Sequence, residues 1–186
     1  MRISRLVAAV AAVAVAVVAG ACARAPEELA AAAETRPPLL AALDGDWKMT
    51  GEVQGEAVEY RLAVRPVLGR AFTELHMVDV QEPPRYEARV FLGYDAASGE
   101  VIAHWLDSFG ARASIPHGTG RISERTIEFT IPYPEGAFRD TLTHDPEADR
   151  WRFTIDEADG AGGWKPFATY EVERASRASH SAALAP

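Results

Sequence analysis

The 186-residue sequence has one cysteine, Cys22, and few basic residues. A single cysteine excludes a disulfide within the chain, so the fold must be held by its hydrophobic core. After the first 21 residues there are 17 Lys and Arg against 27 Asp and Glu, a net charge of −10. Because no basic stripe is left to neutralise phosphates, we expect no nucleic-acid binding.

The common motifs of catalysis and metal binding are also absent from the sequence. No histidine lies in a metal-binding spacing such as H-E-x-x-H, and there is no G-x-S-x-G elbow or phosphate-binding glycine loop. We therefore expect no enzyme activity, no metal and no resident cofactor. One alternative stays open, since some small barrels hold haem through a single histidine. The histidines are His76, His104, His117, His144 and His180.

The only long apolar run, residues 6–19, follows Arg2 and Arg5 and precedes small residues. This order is typical of a secretory signal peptide, which we place at residues 1–21. Residues 19–22, AGAC, resemble a bacterial lipobox, in which the Cys22 thiol is acylated and the chain is cut just before it. Lipoboxes usually have Leu, Val or Ile where this one has Ala19. The alternative is cleavage after Ala21 or Ala23, which would release a soluble secreted or periplasmic protein.

Three segments lie outside the predicted strands. Residues 22–38 are rich in Ala, Pro and charge, which predicts a flexible tether behind the lipidated cysteine. Residues 39–45, LLAALDG, predict a short helix closed by glycine. The tail at 175–186 is predicted to be disordered. With the lipobox, these segments predict a protein anchored in the bacterial cell envelope, at the outer membrane or periplasmic face of a Gram-negative host.

Between the short helix and the tail, the chain alternates β-rich segments with turn residues. Nine or ten short strands joined by tight turns predict an all-β fold, an antiparallel up-and-down β-barrel of eight to ten strands at 39–174. A β-sandwich would need long crossovers that the sequence lacks. Such a barrel has room for one small ligand. The predicted strands are 47–53, 57–67, 71–80, 86–94, 100–108, 113–122 (the weakest), 125–133, 137–144, 150–156 and 164–174.

The residues LDGDWKM at 43–49 place Gly45 and Trp47 at the start of the first strand. This Gly-x-Trp resembles that of the calycin superfamily, the lipocalins and fatty-acid-binding proteins. The resemblance implies that Trp47 packs across the closed end of the barrel, with a basic residue of the last strand over its ring. Arg174 is placed to make that cation–π contact.

Other stretches resemble one bacterial calycin-like family classed as domain of unknown function 1579. They are LGRAF at 68–72, FLGYDAASGEV at 91–101, HWLDS at 104–108 and the D-x-x-x-D-R-W-x-F pattern at 145–153. The resemblance covers about residues 39–174. It implies a lipocalin-like barrel, with a short N-terminal helix at the closed end, and brings no agreed ligand or catalytic residue.

Polar residues in the middle of strands are the candidates for a ligand site. Glu74 and His76 are two apart and therefore share a face of their strand, where they would form a polar pair if that face were the lumen. The alternative is that both face solvent. Arg139 could anchor a ligand carboxylate, or it could pair with an acid on a neighbouring strand. The ligand-binding candidates are Glu74, His76, Tyr94, His104 and Arg139, with Asp107 and Asp140 as further polar groups near strand centres.

The sequence favours a membrane-tethered monomer that binds a small apolar or amphipathic molecule in its barrel. One alternative is an assembly lipoprotein that acts through its outer surface. Another is a barrel enzyme, such as an isomerase, that uses a lumenal His76 or His104.

Overall fold

The computed structural model describes residues 36–176. The expected signal peptide, Cys22, most of the tether, His180 and most of the tail lie outside the described residues. Helix α1 is Pro38–Ala42. The ten strands are β1 Gly45–Val53, β2 Glu56–Val67, β3 Phe72–Asp79, β4 Glu87–Asp95, β5 Glu100–Asp107, β6 Gly118–Ile122, β7 Thr126–Tyr133, β8 Gly136–Asp145, β9 Arg150–Ala158 and β10 Trp164–Arg174. No helix in residues 36–176 is long and apolar enough to cross a membrane.

The ten strands form one closed antiparallel barrel. Each strand pairs with the next along the chain, and β1 pairs with β10 to complete the circle. No crossover interrupts this order, which confirms the predicted meander. The ten strands are the upper limit of the predicted eight to ten. Closure gives each strand a neighbour on both sides, although β5 pairs with β6 only over residues 100–103.

Period-2 alternation in the sequence sets which side chains enter the barrel. In β7, Ile127, Phe129 and Ile131 are fully buried, while the residues between them are partly or fully exposed. In β3 the buried positions are Thr73, Leu75, Met77 and Asp79. The inward side chains of all ten strands thus make one hydrophobic core.

The weakest predicted strand, 113–122, differs from the structure. A 3-10 helix covers Ala111–Ser114, and β6 begins only at Gly118. Pro116 lies between them, and proline has no N–H to donate to a strand ladder. The loop between β5 and β6 is consequently long and lies at one end of the barrel.

Trp47 and Arg174 close the barrel at the end where α1 lies, as the Gly-x-Trp resemblance implied. The Arg174 guanidinium carbon is 3.8 Å from the centre of the Trp47 ring. The Trp47 Nε1–H donates to the Leu43 carbonyl at 2.7 Å, and Arg174 Nη1 donates to the Asp44 carbonyl at 2.7 Å. Gly45 has φ +142°, and a Cβ there would lie 2.1 Å from Arg174 Nη1. Glycine at this position is therefore what lets the arginine reach the tryptophan.

A second arginine, Arg36, fastens the start of the described chain to this closed end. Its side chain is 4% exposed and forms two hydrogen bonds to the Asp44 carboxylate, at 2.9 and 2.6 Å. It also donates to Thr73 Oγ1 and to the Leu40 carbonyl. At the other end of the chain, the Ala175 amide donates to the Asp46 carbonyl at 2.9 Å. Both ends of the described chain are thus held at the closed end.

Candidate functional site

A cavity of about 630 Å³ opens at the opposite end of the barrel, where β1 joins β2, β5 joins β6 and β7 joins β8. Its volume lies within the range of about 300 to 1,000 Å³ that small-molecule sites occupy. The lining is rich in aromatic rings and acidic side chains. The lining residues are Val53, Gln54, Glu56, Val58, Tyr60, Met77, Tyr86, Trp105, Asp107, Phe109, Arg112, Ala113, Ile131, Tyr133, Glu135, Phe138, Asp140, Phe153, Ile155, Phe167 and Tyr170.

The change in residue type along the barrel axis explains why the cavity lies at this end. Near the closed end, Leu43, Trp47 and Met49 are almost fully buried and fill the interior. Toward the open end the inward positions carry rings, which pack edge to face against one another. Tyr60 contacts Tyr170 with ring centres 6.0 Å apart, and space remains between the walls.

A short chain of hydrogen bonds lines one wall of the cavity. Trp105 Nε1–H donates to the Tyr86 hydroxyl at 3.1 Å, and that hydroxyl donates to Asp107 Oδ2 at 3.4 Å. The other Asp107 oxygen accepts the Phe109 amide at 2.9 Å. Burial, and then the nearby Asp107 carboxylate, raise the pKa of Tyr86. Tyr86 therefore remains a protonated donor.

Asp140 is the most deeply buried acidic group of the cavity. It lies on β8 between Phe129 of β7 and Ile155 of β9, and it is 2% exposed. Its Oδ1 has no hydrogen-bond partner among the described residues. Desolvation by burial, and then the negative charge of Asp156, raise the pKa of the Asp140 carboxyl well above its ordinary value.

Two more tyrosines of the cavity lining interact electrostatically with Asp140. Burial, then Asp140 and Asp107, raise the pKa of Tyr133 to about 12. Burial, then Tyr60 and Asp140, raise the pKa of Tyr170. All of these phenols are neutral at physiological pH and can donate hydrogen bonds into the cavity.

The charges of the lining are unequal. Four acidic residues line the cavity, and one basic residue does, Arg112 in the 3-10 helix of the β5–β6 loop. Electrostatic attraction in this cavity favours positive ligand groups over negative ones.

Glu74 and His76 lie on the outer face of β3, so the lumenal pair is a wrong prediction. Their neighbours Thr73, Leu75 and Met77 take the inward positions. Glu74 Oε1 accepts a hydrogen bond from Arg89 at 2.6 Å, and His76 Nε2 lies 2.7 Å from Glu87 Oε1. The solvent-facing alternative is the one observed.

Tyr94 and His104 are also outside the cavity. Tyr94 packs against the core at the closed end, beside Arg36. His104 is exposed on the outer face of β5, with its ring 5.7 Å from that of His117. The cavity lining within residues 36–176 includes no histidine, so neither a histidine-held haem nor a histidine base has its residue there. The described residues contain no cluster of three groups able to hold a metal ion.

Arg139 points away from the lumen and pairs with an acid of the neighbouring strand. Its Nη2 donates to Asp156 Oδ2 at 2.9 Å, and its guanidinium carbon lies 4.6 Å from the centre of the Trp164 ring. It therefore anchors no ligand in the cavity, and the ion-pair alternative is confirmed.

Of the polar groups noted from the sequence, Asp107 and Asp140 do line the cavity, while the tyrosines were missed. The signal was available in the alternation of the strands. Asp140 shares a face with Phe138 and Leu142, and Tyr60 shares one with Leu62. An acid on an otherwise apolar face is the pattern that predicts a lumenal polar group.

A family model described as protein of unknown function (DUF1579) matches residues 34–174. The chain belongs to this family. The match spans all ten strands, and it confirms the family resemblance found in the sequence. Comparison with curated proteins gives no match. Because a fold alone does not determine an activity, the function of this DUF1579 barrel depends on the cavity and its lining.

Proposed function

We propose that this DUF1579 protein is a binding protein that holds one small apolar or amphipathic molecule in its open-ended cavity. The observation that carries the proposal is the cavity itself, a space of about 630 Å³ walled mainly by rings and reached from one end of the barrel. A barrel that served only as a scaffold would gain stability by filling this space with side chains.

A neutral apolar dye, N-phenyl-1-naphthylamine, tests this proposal. We expect saturable one-to-one binding, with excitation energy transferred from Trp105, which lies in the cavity wall. The variant Trp105→Phe should keep the binding and lose only part of this transfer, because Trp47, Trp151 and Trp164 remain in the same barrel.

The matched pair Val58→Trp and Arg61→Trp places the same indole on the two faces of β2. Val58 lines the cavity, whereas Arg61 is exposed on the outer face. We expect Val58→Trp to weaken dye binding at least tenfold, about 1.4 kcal/mol, and Arg61→Trp to leave it unchanged. Equal affinities in the two variants, or no saturable binding to the wild type, would refute the proposal.

We propose further that the protein acts at a membrane, held by acyl chains on Cys22. Support comes from the sequence: the only cysteine follows the apolar run, and a Pro- and Ala-rich segment joins it to the domain. Arg36 and Ala175 are held at the closed end, so the tether would enter there and the cavity would open at the far end.

Fractionation of cells and labelling with radioactive palmitate test the anchor. Wild type should be labelled and found with membranes, and Cys22→Ala should be unlabelled and soluble. Stable anchoring needs more than one acyl chain, and Cys22→Ala removes every chain attached to the thiol. Nearly all of the variant should therefore be found in the soluble fraction. A Cys22→Ala chain that stays with the membranes would contradict lipidation.

A further inference from the structure

We propose that the ligand is an organic cation, an ammonium group on an apolar body, and that Asp140 is its counter-ion. This inference rests on the proposed function, since it names the chemical class that the cavity takes. It draws on three separate features of the cavity: a buried oxygen without a partner among the described residues, the aromatic rings of the wall, and the sign of the lining charge.

The first feature is the Asp140 carboxyl. It is 2% exposed, it lines the cavity, and its Oδ1 has no hydrogen-bond partner within residues 36–176. Buried polar atoms in proteins are almost always hydrogen-bonded, and the exceptions call for an explanation. A cationic group in the cavity would balance the charge of this unpartnered oxygen when the carboxyl is ionised, and an ammonium group that carries N–H would also donate a hydrogen bond to it.

The second feature is the aromatic wall. The ring centre of Tyr170 lies 6.0 Å from that of Tyr60 and 5.6 Å from that of Phe153. The ring centre of Phe153 lies 6.5 Å from that of Trp105. The faces of such rings carry negative potential and attract ammonium groups, most strongly when water is excluded. The same rings provide apolar area for the body of the ligand.

The third feature is the sign of the charge. The acids Glu56, Asp107, Glu135 and Asp140 line the cavity, against the single Arg112 at its mouth. Arg139, the basic residue next to Asp140, faces outward and is paired with Asp156. A ligand carboxylate would meet the acids Glu56, Asp107 and Glu135 with only Arg112 to balance them, which disfavours anions.

Three decyl probes of equal chain length, used below their micelle concentrations, separate the classes. Decyltrimethylammonium, decanol and decanoate are each titrated against the dye-loaded full chain. We expect the ammonium probe to displace the dye with at least tenfold higher affinity than decanol, and decanoate to be the weakest. Equal affinity for decanol, or tighter binding of decanoate, would overturn the inference and leave the binding function standing. Failure of the dye itself to bind would overturn both.

Asp140→Asn assigns the preference to this residue. Asparagine has the same shape without the charge, so this variant should bind decanol like the wild type and lose the preference for the ammonium probe. Glu171→Gln removes a charge from the exposed face of β10. It should change neither the affinity for decanol nor the preference for the ammonium probe. An ammonium preference that survives in Asp140→Asn would show that Asp140 is not the counter-ion. Asp107→Asn provides a second lumenal variant should Asp140→Asn fold poorly.

The pH dependence gives an independent readout, because a quaternary ammonium does not titrate. Asp140 holds its proton to higher pH than an ordinary aspartic acid, so binding a cation must release that proton. Affinity for decyltrimethylammonium should therefore rise with pH, by up to about tenfold per unit, while affinity for decanol stays flat. The titratable groups that interact with Asp140 are Asp156 of β9, Tyr133 of β7 and Tyr170 of β10. The other titratable or charged groups of its cavity are Glu56, Tyr60, Tyr86, Asp107, Arg112 and Glu135. A rise that persists in Asp140→Asn would overturn the assignment.

Discussion

At the closed end of the barrel two arginines each have several partners, whereas at the open end a buried carboxyl has an oxygen with none among the described residues. Arg174 lies over Trp47 and bonds to the Asp44 carbonyl, and Arg36 holds the Asp44 carboxylate. Asp140, in contrast, is buried in a cavity that a ligand could enter. Under the proposed function, this difference separates an end where the arginines stabilise the fold from an end where stability is given up for binding.

The largest expected effect comes from emptying the closed end. Trp47 is 2% exposed, so Trp47→Ala should lower the free energy of unfolding by about 3 to 5 kcal/mol in urea denaturation. Trp164 is the matched control, because it is 37% exposed on the outer face, and its replacement by Ala should cost about 1 kcal/mol or less. Similar losses of unfolding free energy in the two variants would show that the closed end is no more tightly packed than the outer face.

Gly45 and Arg174 should behave as one unit. Gly45→Ala strains a backbone with φ +142° and displaces Arg174, which should cost about 1 to 3 kcal/mol. Arg174→Ala should cost about 0.5 to 2 kcal/mol through the lost contact with Trp47. In a double-mutant cycle by urea denaturation, the combined loss should be smaller than the sum of the two. Strict additivity would show that the glycine is not there to admit the arginine.

At the open end, the Asp140 carboxyl should make the free energy of unfolding depend on pH. Because the folded-state pKa of Asp140 is raised above its unfolded value, the folded state binds more protons between the two values, and stability falls as pH rises through that window. Asp140→Asn should match the wild type near pH 4. Above that pH it should be more stable, by up to about 1.4 kcal/mol per pH unit until the folded pKa is reached. Parallel pH profiles from urea denaturation would contradict the raised pKa.

The smallest effect on stability is expected at the cavity mouth. Phe109 is 76% exposed and its ring contacts Tyr86 at 5.6 Å, so Phe109→Ala should change the free energy of unfolding by less than about 0.5 kcal/mol. Dye affinity should nevertheless fall about threefold, since part of the apolar wall is lost. Leu68, which is 67% exposed at the closed end, is the control. Leu68→Ala should leave dye affinity unchanged, and a threefold fall in this variant too would place the dye outside the cavity.

The architecture was readable from the sequence because it depends on local signals. Period-2 alternation and turn residues predicted the strands, although the weakest one, at 113–122, begins only at Gly118. The closed end, with Trp47 and Arg174, was implied by the resemblance of the Gly-x-Trp to that of the calycins. The candidate site was harder, because one strand alone does not reveal which of its two faces is the lumen. The choice of Glu74 and His76 followed their chemistry, while the apolar alternation of Thr73, Leu75 and Met77 pointed the other way. The volume of the cavity depends on contacts between rings of distant strands, which no single segment encodes.

Native mass spectrometry of the protein purified from its own envelope tests the central claim most directly. We expect the wild-type chain to carry one small bound molecule. Arg61→Trp should keep this molecule, and Val58→Trp, whose added indole enters the cavity, should lose it. A bare wild-type chain, or the same bound mass in all three proteins, would contradict the claim that the open end of the barrel is a binding site.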